Sequence, residues 1–415
     1  MRKVLAALGV AAAILAPVSA AEPMKYAALF DALWHQVDTS FYDPHFHGVD
    51  WAAAGARYRA KLGDVKTDAD FAALAGAMLD ELHASHTFVS PPSPIRVGVG
   101  VRLRELDGRY VVTQVWPLSD AWRLDIRPGD SLSPPATPDD LRGAPGTAAS
   151  FRIDRCETGI ANVTVRRAPS FFPPEEPGFR WSAVQVDGKT RLGLITADRF
   201  DDGAAELADR AMADLKDTQG LIIDIRGNTG GNASALRLAS YFGAGAAPAI
   251  ILLSRPYLEK LGHPPTPAEI AAAPRVQGAY TDAAVFQAVG EKGGGAAFWT
   301  QDVGEKRYRG PVVVLTGEDT GSAAEGFAWF MRLKTQARFI GEKTAGAFLG
   351  GQTFDLPDGW HVTLPVYGLW GPEGGDYGDK PVTPDAVVVP KAADLCRGRD
   401  RAMEAAMAWL AKPSP

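Results

Sequence analysis

The sequence is poor in cysteine. Cys156 and Cys396 are the only two in 415 residues, and no spacing or motif links them. An oxidising compartment permits a disulfide between them; two free buried thiols are the other reading. Positive charge is in deficit, with 43 Lys and Arg against 49 Asp and Glu, a net charge of −6. That argues against nucleic acid or anionic lipid as a partner. Beyond the N-terminus, no apolar run is long enough to cross a bilayer. Repeats and low-complexity tracts are absent. We expect no cofactor and no metal.

What is present is a chain 46% apolar, enough for packed cores, with a length that suits two or three domains. Residues 1–20 read as an export signal: Arg2 and Lys3, an apolar stretch from Val4 to Pro17, then Val18-Ser19-Ala20 as a small-residue cleavage site. Removing those two positive charges from −6 leaves −8. The expected location is the periplasm or the medium.

Ser322 is the most informative residue. The run Val312-Val313-Val314-Leu315-Thr316 predicts a buried strand of a parallel sheet. A Gly-rich turn and an Ala-rich helical stretch follow it. Ser322 thus falls at a strand-to-helix junction, on the carboxyl edge of the sheet, where ligands bind in open α/β folds. The next amide, Ala323, is a free donor at a helix start and suits an oxyanion. A serine here also reads as a simple N-cap. A second junction, Gly220-Leu221-Ile222-Ile223-Asp224 into Gly227-Asn228-Thr229-Gly230-Gly231, adds more amides for a shared site.

These two junctions resemble the core of the C-terminal processing and tricorn-type serine peptidases. The family's D-(L/V/I)-R-x-N-x-G-G stands here as Asp224 to Gly231, and S-A-x-E as Ser322 to Glu325. The stretch Phe339 to Gly346 is similar to its strand and G-E-x-T-x-G turn. The resemblance implies an α/β, ClpP/crotonase-like catalytic core over 181–395. Before it would come a helical N-terminal region (21–94), a β-rich PDZ-like domain (95–168) and a linker (169–180); a C-terminal helix (396–415) would follow. Stretch 262–274, with Gly294 and Gly295, reads as an irregular insertion. In the PDZ-like segment Asp125 replaces the usual glycine, and Ser133 to Pro138 the usual strand. Gly98, Val99 and Gly100 match the position of the loop that holds a peptide's carboxylate. The resemblance implies polypeptide substrates, captured through free C-termini, and a module whose movement opens or closes the site; a structural spacer that has lost peptide binding is the other reading of 95–168.

A serine needs a base. The lysine of the processing branch falls on Ala347, so the usual dyad is missing. The tricorn branch takes a Ser-His pair after a helix, and Leu82 to Val89 matches, with Ser85 and His86 in place. An imidazole titrates near neutrality and suits the role. The branch's late glutamate falls on Gly378, leaving Asp376 or Asp379 as substitutes. The expectation is a serine endopeptidase with Ser322 as nucleophile, His86 as base, Ser85 as orienter or relay, and Ala323, Gly230 and Gly231 at the oxyanion. Lys343 is the alternative base. A binding protein without activity is the third reading, favoured by Gly378 and Ala347.

Overall fold

The computed structural model describes residues 22–92, 97–169, 178–186, 188 and 190–411. The signal at 1–20 and the linker core at 170–177 lie outside these.

The central sheet takes its strands in the order Ala386–Val387, Arg338–Gly341, Val312–Thr316, Gly220–Asp224, Thr190–Ala197 and Phe179–Val186. All its pairings are parallel except that of the last strand with its neighbour. Both faces are covered, which is why these strands read as unbroken apolar runs. Leu221, Ile223, Val312 and Val314 pack on one side with the helices Ala204–Leu215 and Ala323–Lys334. Ile222, Val313, Leu315 and Ile340 pack on the other with Ala402, Ala406 and Leu410 of the helix Arg401–Leu410. That helix starts five residues after Cys396, and a separate turn of helix, Ala392–Cys396, precedes it. In chain order the central sheet begins with the strand Phe179–Val186.

The expected irregular insertion, 262–274, is turn and loop apart from the short helix Pro267–Ala271, and regular strands flank it. Strands Pro248–Ser254, Gly295–Trp299 and Arg275–Val276 join His361–Trp370 in a second sheet. Pro267 starts the helix Pro267–Ala271 and lies within the capping box of Thr266 and Glu269.

The N-terminal helices Glu22–Ser40, Trp51–Arg59 and Asp68–Asp80 have no separate core. Leu29, Phe30, Leu33, Phe71 and Met78 share one with Ile251, Leu253, Trp360 and Val362 of the second sheet. Strand Phe88–Ser90 then pairs antiparallel with His361–Trp370. The N-terminal region is therefore built into the catalytic part.

Residues 97–169 do have their own core, around Val112, Ile126, Leu132, Phe151, Ile153 and Val165. Five antiparallel strands follow in chain order from Val101–Leu106, an edge, to Gly159–Arg166. The strand after Gly129-Asp130 survives as two residues, Ser131–Leu132. Cys156 and Cys396 are disulfide-bonded, which resolves the two cysteine readings. The bond ties this module to the C-terminal segment. Arginines on the edge strand tie it to the core as well. Arg102 pairs with Asp319 (2.8 Å), and Arg104 with Glu342 (2.9 Å) and Glu318 (2.5 Å). The expected mobile module is thus joined to the core by one covalent and three ionic links. No helix among the described residues is long and apolar enough to cross a membrane.

Candidate active site

Strand Val312–Thr316 ends at the carboxyl edge of the sheet, and Ser322 opens the helix Ala323–Lys334. Ser322 adopts φ 52° and ψ −126°. Such a backbone is costly for a serine and persists only where neighbours over-determine it. Its amide donates to Ala347 O (2.9 Å), and its carbonyl accepts from the Glu325 and Gly326 amides (2.8 and 3.1 Å). Its hydroxyl makes no capping bond, so the N-cap reading does not account for it.

Glu325 explains why two of the motifs occur together. It is fully buried and accepts from Thr344 Oγ1 (2.5 Å) and from the Gly346 and Ala347 amides (2.7 Å each). Burial pushes its carboxyl up, against these donors, which favour the charged form. The carboxylate clamps turn 344–347 onto the serine helix, and so brings Ala347 O to Ser322.

Asn228 makes the second clamp. Buried, it gives Nδ2 to Ala197 O (3.0 Å), accepts the Gly230 amide on Oδ1 (2.8 Å) and takes the Gly321 amide on its carbonyl (3.0 Å). The glycine loop is thereby laid against the serine turn. A Cβ on Gly230 would stand 2.5 Å from Ser322 Cβ, so the approach requires glycine. This corrects one expectation: the Gly230 amide already donates to Asn228 and is not available to an oxyanion. The Gly231 and Ala323 amides have no acceptor among the described residues, and both residues line the cavity that holds Ser322.

His86 arrives from the N-terminal region, on a turn between the helix Asp68–Asp80 and the strand Phe88–Ser90. His83 and His86 both take left-handed backbone, φ 47° and 57°. His86 lines the same cavity as Ser322. No hydrogen bond joins the two side chains; in enzymes without substrate such contacts are often loose. His86 Nδ1 lies 3.3 Å from Ser85 Oγ, and the Ser85 amide donates to Asp379 Oδ1 (3.3 Å). Burial holds the His86 pKa below its usual value, and the charge of Asp379 pulls it partly back. Burial pushes the Asp379 carboxyl up, against the Ser85 hydroxyl and amide.

Of the two candidate acids, Asp379 faces Ser85, while Asp376 accepts the Gly378 amide (3.0 Å) within its own turn. A Cβ at Gly378, the glutamate slot, would stand 2.6 Å from Leu349 Cδ2, so a side chain there would have to displace that leucine. Lys343 is exposed and absent from the cavity wall. Gly98, Val99 and Gly100 also lie outside that wall. Val99 is buried; the Val99 and Gly100 amides have no acceptor among the described residues.

Sequence reasoning missed Gly351. A Cβ there would stand 2.9 Å from His86 Cδ2, so the strand Gly350–Asp355 passes hard against the imidazole. The Gly350-Gly351 pair was the available signal. It also missed the cavity's apolar lining: Leu236, Ile250, Leu252, Phe298, Phe348 and Leu369 bound a space of about 300 Å³. These residues lie on separate elements that only folding assembles. No cluster of metal-ligating side chains occurs among the described residues.

The chain was compared with known proteins. Residues 191–388 match the model of peptidase family S41, and residues 23–80 that of the tricorn protease C1 domain. His86 falls between the two matches. The chain is 25% identical to tricorn protease homolog 1 of Streptomyces coelicolor, over 92% of this chain and 35% of that protein. It is 22% identical to the carboxy-terminal processing protease CtpB of Bacillus subtilis, over 70% of this chain and 55% of that one. The chain thus spans about a third to a half of the length of these relatives. Among solved structures, the photosystem II D1 C-terminal processing protease is 20% identical with a TM-score of 0.54, over 91% of this chain and 98% of that one. Mature CPAF is 16% identical with a TM-score of 0.62, over 94% and 96%. These likenesses show a shared fold.

Proposed function

From the match of residues 191–388 to the model of peptidase family S41 we propose an exported serine endopeptidase of that family, with Ser322 as nucleophile and His86 as general base. The observation that carries the reading is one cavity lined by a strained, uncapped serine and by a histidine from the opposite end of the chain. Ser322 Oγ attacks the peptide carbonyl. His86 Nε2 takes its proton and returns it to the leaving amine. The Ser85 hydroxyl, donating to Asp379, accepts from His86 Nδ1–H and so leaves Nε2 free as the base. The Ala323 and Gly231 amides hold the oxyanion. The apolar lining receives an apolar side chain next to the scissile bond.

Export is supported by the leader and by the disulfide, which suits an oxidising compartment. The PDZ-like reading of residues 97–169 is supported by the unpaired Val99 and Gly100 amides and by the open edge of Val101–Leu106. Substrates presenting a free C-terminus fit it. The exposure of Lys343 speaks against the alternative base.

Reaction with a biotinylated fluorophosphonate tests the reading. We expect one covalent adduct, located by peptide mass analysis on Ser322. An unlabelled, folded protein would leave the binding-protein reading.

Asp379→Asn tests the relay. Because the carboxylate acts through Ser85, kcat should fall about 10- to 100-fold, less than on loss of the base itself. The Asp379 charge stabilises the imidazolium, so its removal lowers the His86 pKa further. The base must be neutral to work, so the acid limb of the kcat/KM profile should move to lower pH. A limb that moves up, or stays, counts against the Asp379–Ser85–His86 arrangement.

A further inference from the structure

We infer that His47 is a positioning residue for His86, fixing the start of the turn that delivers the imidazole. The inference rests on the reading of His86 as the base. Both ring nitrogens of His47 are engaged. Nδ1 lies 2.8 Å from Leu82 O and Nε2 lies 2.8 Å from Tyr42 Oη. A carbonyl can only accept, so Nδ1 carries a proton and donates to Leu82 O, while Nε2 and the Tyr42 hydroxyl share the second bond.

Each end of this link is anchored. The Tyr42 amide donates to Pro365 O (3.0 Å), and the Tyr42 ring packs against Gly368. Burial, reinforced by the charges of Asp376, Asp43 and Asp379, holds the phenol protonated. The His47 amide donates to Asp43 Oδ2 (2.7 Å), and the same carboxylate oxygen stands 4.0 Å from Nε2. Leu82 is fully buried just past the helix Asp68–Asp80. Four residues later comes His86, itself left-handed, with left-handed His83 on the way. So short and bent a turn has little slack. Its start is held by His47 at Leu82 O, and its far side by Asp379 at the Ser85 amide. A shift at Leu82 is passed to the imidazole, and nucleophile–base geometry tolerates little displacement.

Two amide substitutions separate positioning from bulk stability. His47→Asn places an amide donor where Nδ1 stands, and asparagine tolerates the left-handed backbone of residue 47, φ 55°. His47→Gln carries its amide out to the Nε2 position and loses Leu82 O. In the full-length protein, His47→Gln and His47→Ala should lower kcat about 10- to 100-fold with KM held, because the apolar residues that line the cavity are untouched. His47→Asn should recover most of kcat. A second readout needs no turnover: in ring-15N histidine-labelled protein, the His86 resonances should move in the glutamine variant and return in the asparagine variant. If asparagine loses as much as glutamine, or if folded His47→Ala keeps both wild-type kcat and the His86 resonances, the inference is overturned. Should the alanine variant not fold, the asparagine–glutamine comparison decides. If the wild type shows no hydrolysis, the peptidase reading falls, and the ring resonances still decide the role of His47.

Discussion

Ser322→Ala should abolish peptide hydrolysis, by about 10⁶-fold in kcat, the cost of removing the nucleophile in other serine peptidases. The fold should be untouched. Alanine keeps the same Cβ in the same φ 52° backbone, and the hydroxyl makes no capping bond whose loss would loosen the helix. The Ala347 and Glu325 contacts that hold this turn are to the Ser322 main chain and persist in the variant. The thermal midpoint should therefore match wild type while fluorophosphonate labelling disappears. Turnover that survives in a folded variant would place the chemistry elsewhere.

His86→Ala should be nearly as damaging, about 10⁴- to 10⁶-fold, because nucleophile and base act as a unit. Lys343→Ala should stay within about a factor of two, as exposed substitutions away from a site usually do. The wild-type rate gives a third measure. Burial depresses the His86 pKa, so the ring stays neutral to lower pH than a solvent-exposed histidine. The acid limb of kcat/KM should therefore lie below the ordinary histidine value of about 6.5. The reverse result, with Lys343→Ala dead and His86→Ala active, would establish the lysine as base.

Much of this site was legible because local sequence and local structure coincide in it. The five-residue run ending at Thr316 is buried throughout, and its junction with a helix places Ser322 without any long-range information. The glycine loop was equally plain, but its division of labour was not. Whether the Gly230 or the Gly231 amide is free depends on where the Asn228 side chain turns, which a motif does not state. The acid was ambiguous for the same reason. Asp376 and Asp379 are three residues apart, and only the packing of their turn beside Ser85 separates them. The second sheet was not read from the sequence, because its strands come from separate segments, Pro248–Ser254, Arg275–Val276, Gly295–Trp299 and His361–Trp370, that only folding brings together. The shared core of the N-terminal helices and that sheet is a contact between distant segments, invisible to periodicity. Gly351 belongs to this class too: it is required by a histidine far away in the chain.

The disulfide divides the catalytic machinery topologically. Cys156 and Cys396 are 240 residues apart, and the ring they close contains Gly231, Ser322, Ala323 and Asp379. His86 and Ser85 lie outside it, on the N-terminal arm. In a chain-entropy account, closing a ring of this size removes about 5 kcal/mol of freedom from the unfolded chain. A chain with the proposed peptidase activity is exposed to that activity, and the ring decides what a nick does. A cut anywhere between the two cysteines leaves one covalent molecule, with nucleophile, oxyanion donors and carboxylate still joined. A cut between His86 and Cys156 severs the proposed base from the proposed nucleophile, and noncovalent contacts then keep the pair together, among them the core shared by the N-terminal helices and the second sheet and the pairing of Phe88–Ser90 with His361–Trp370.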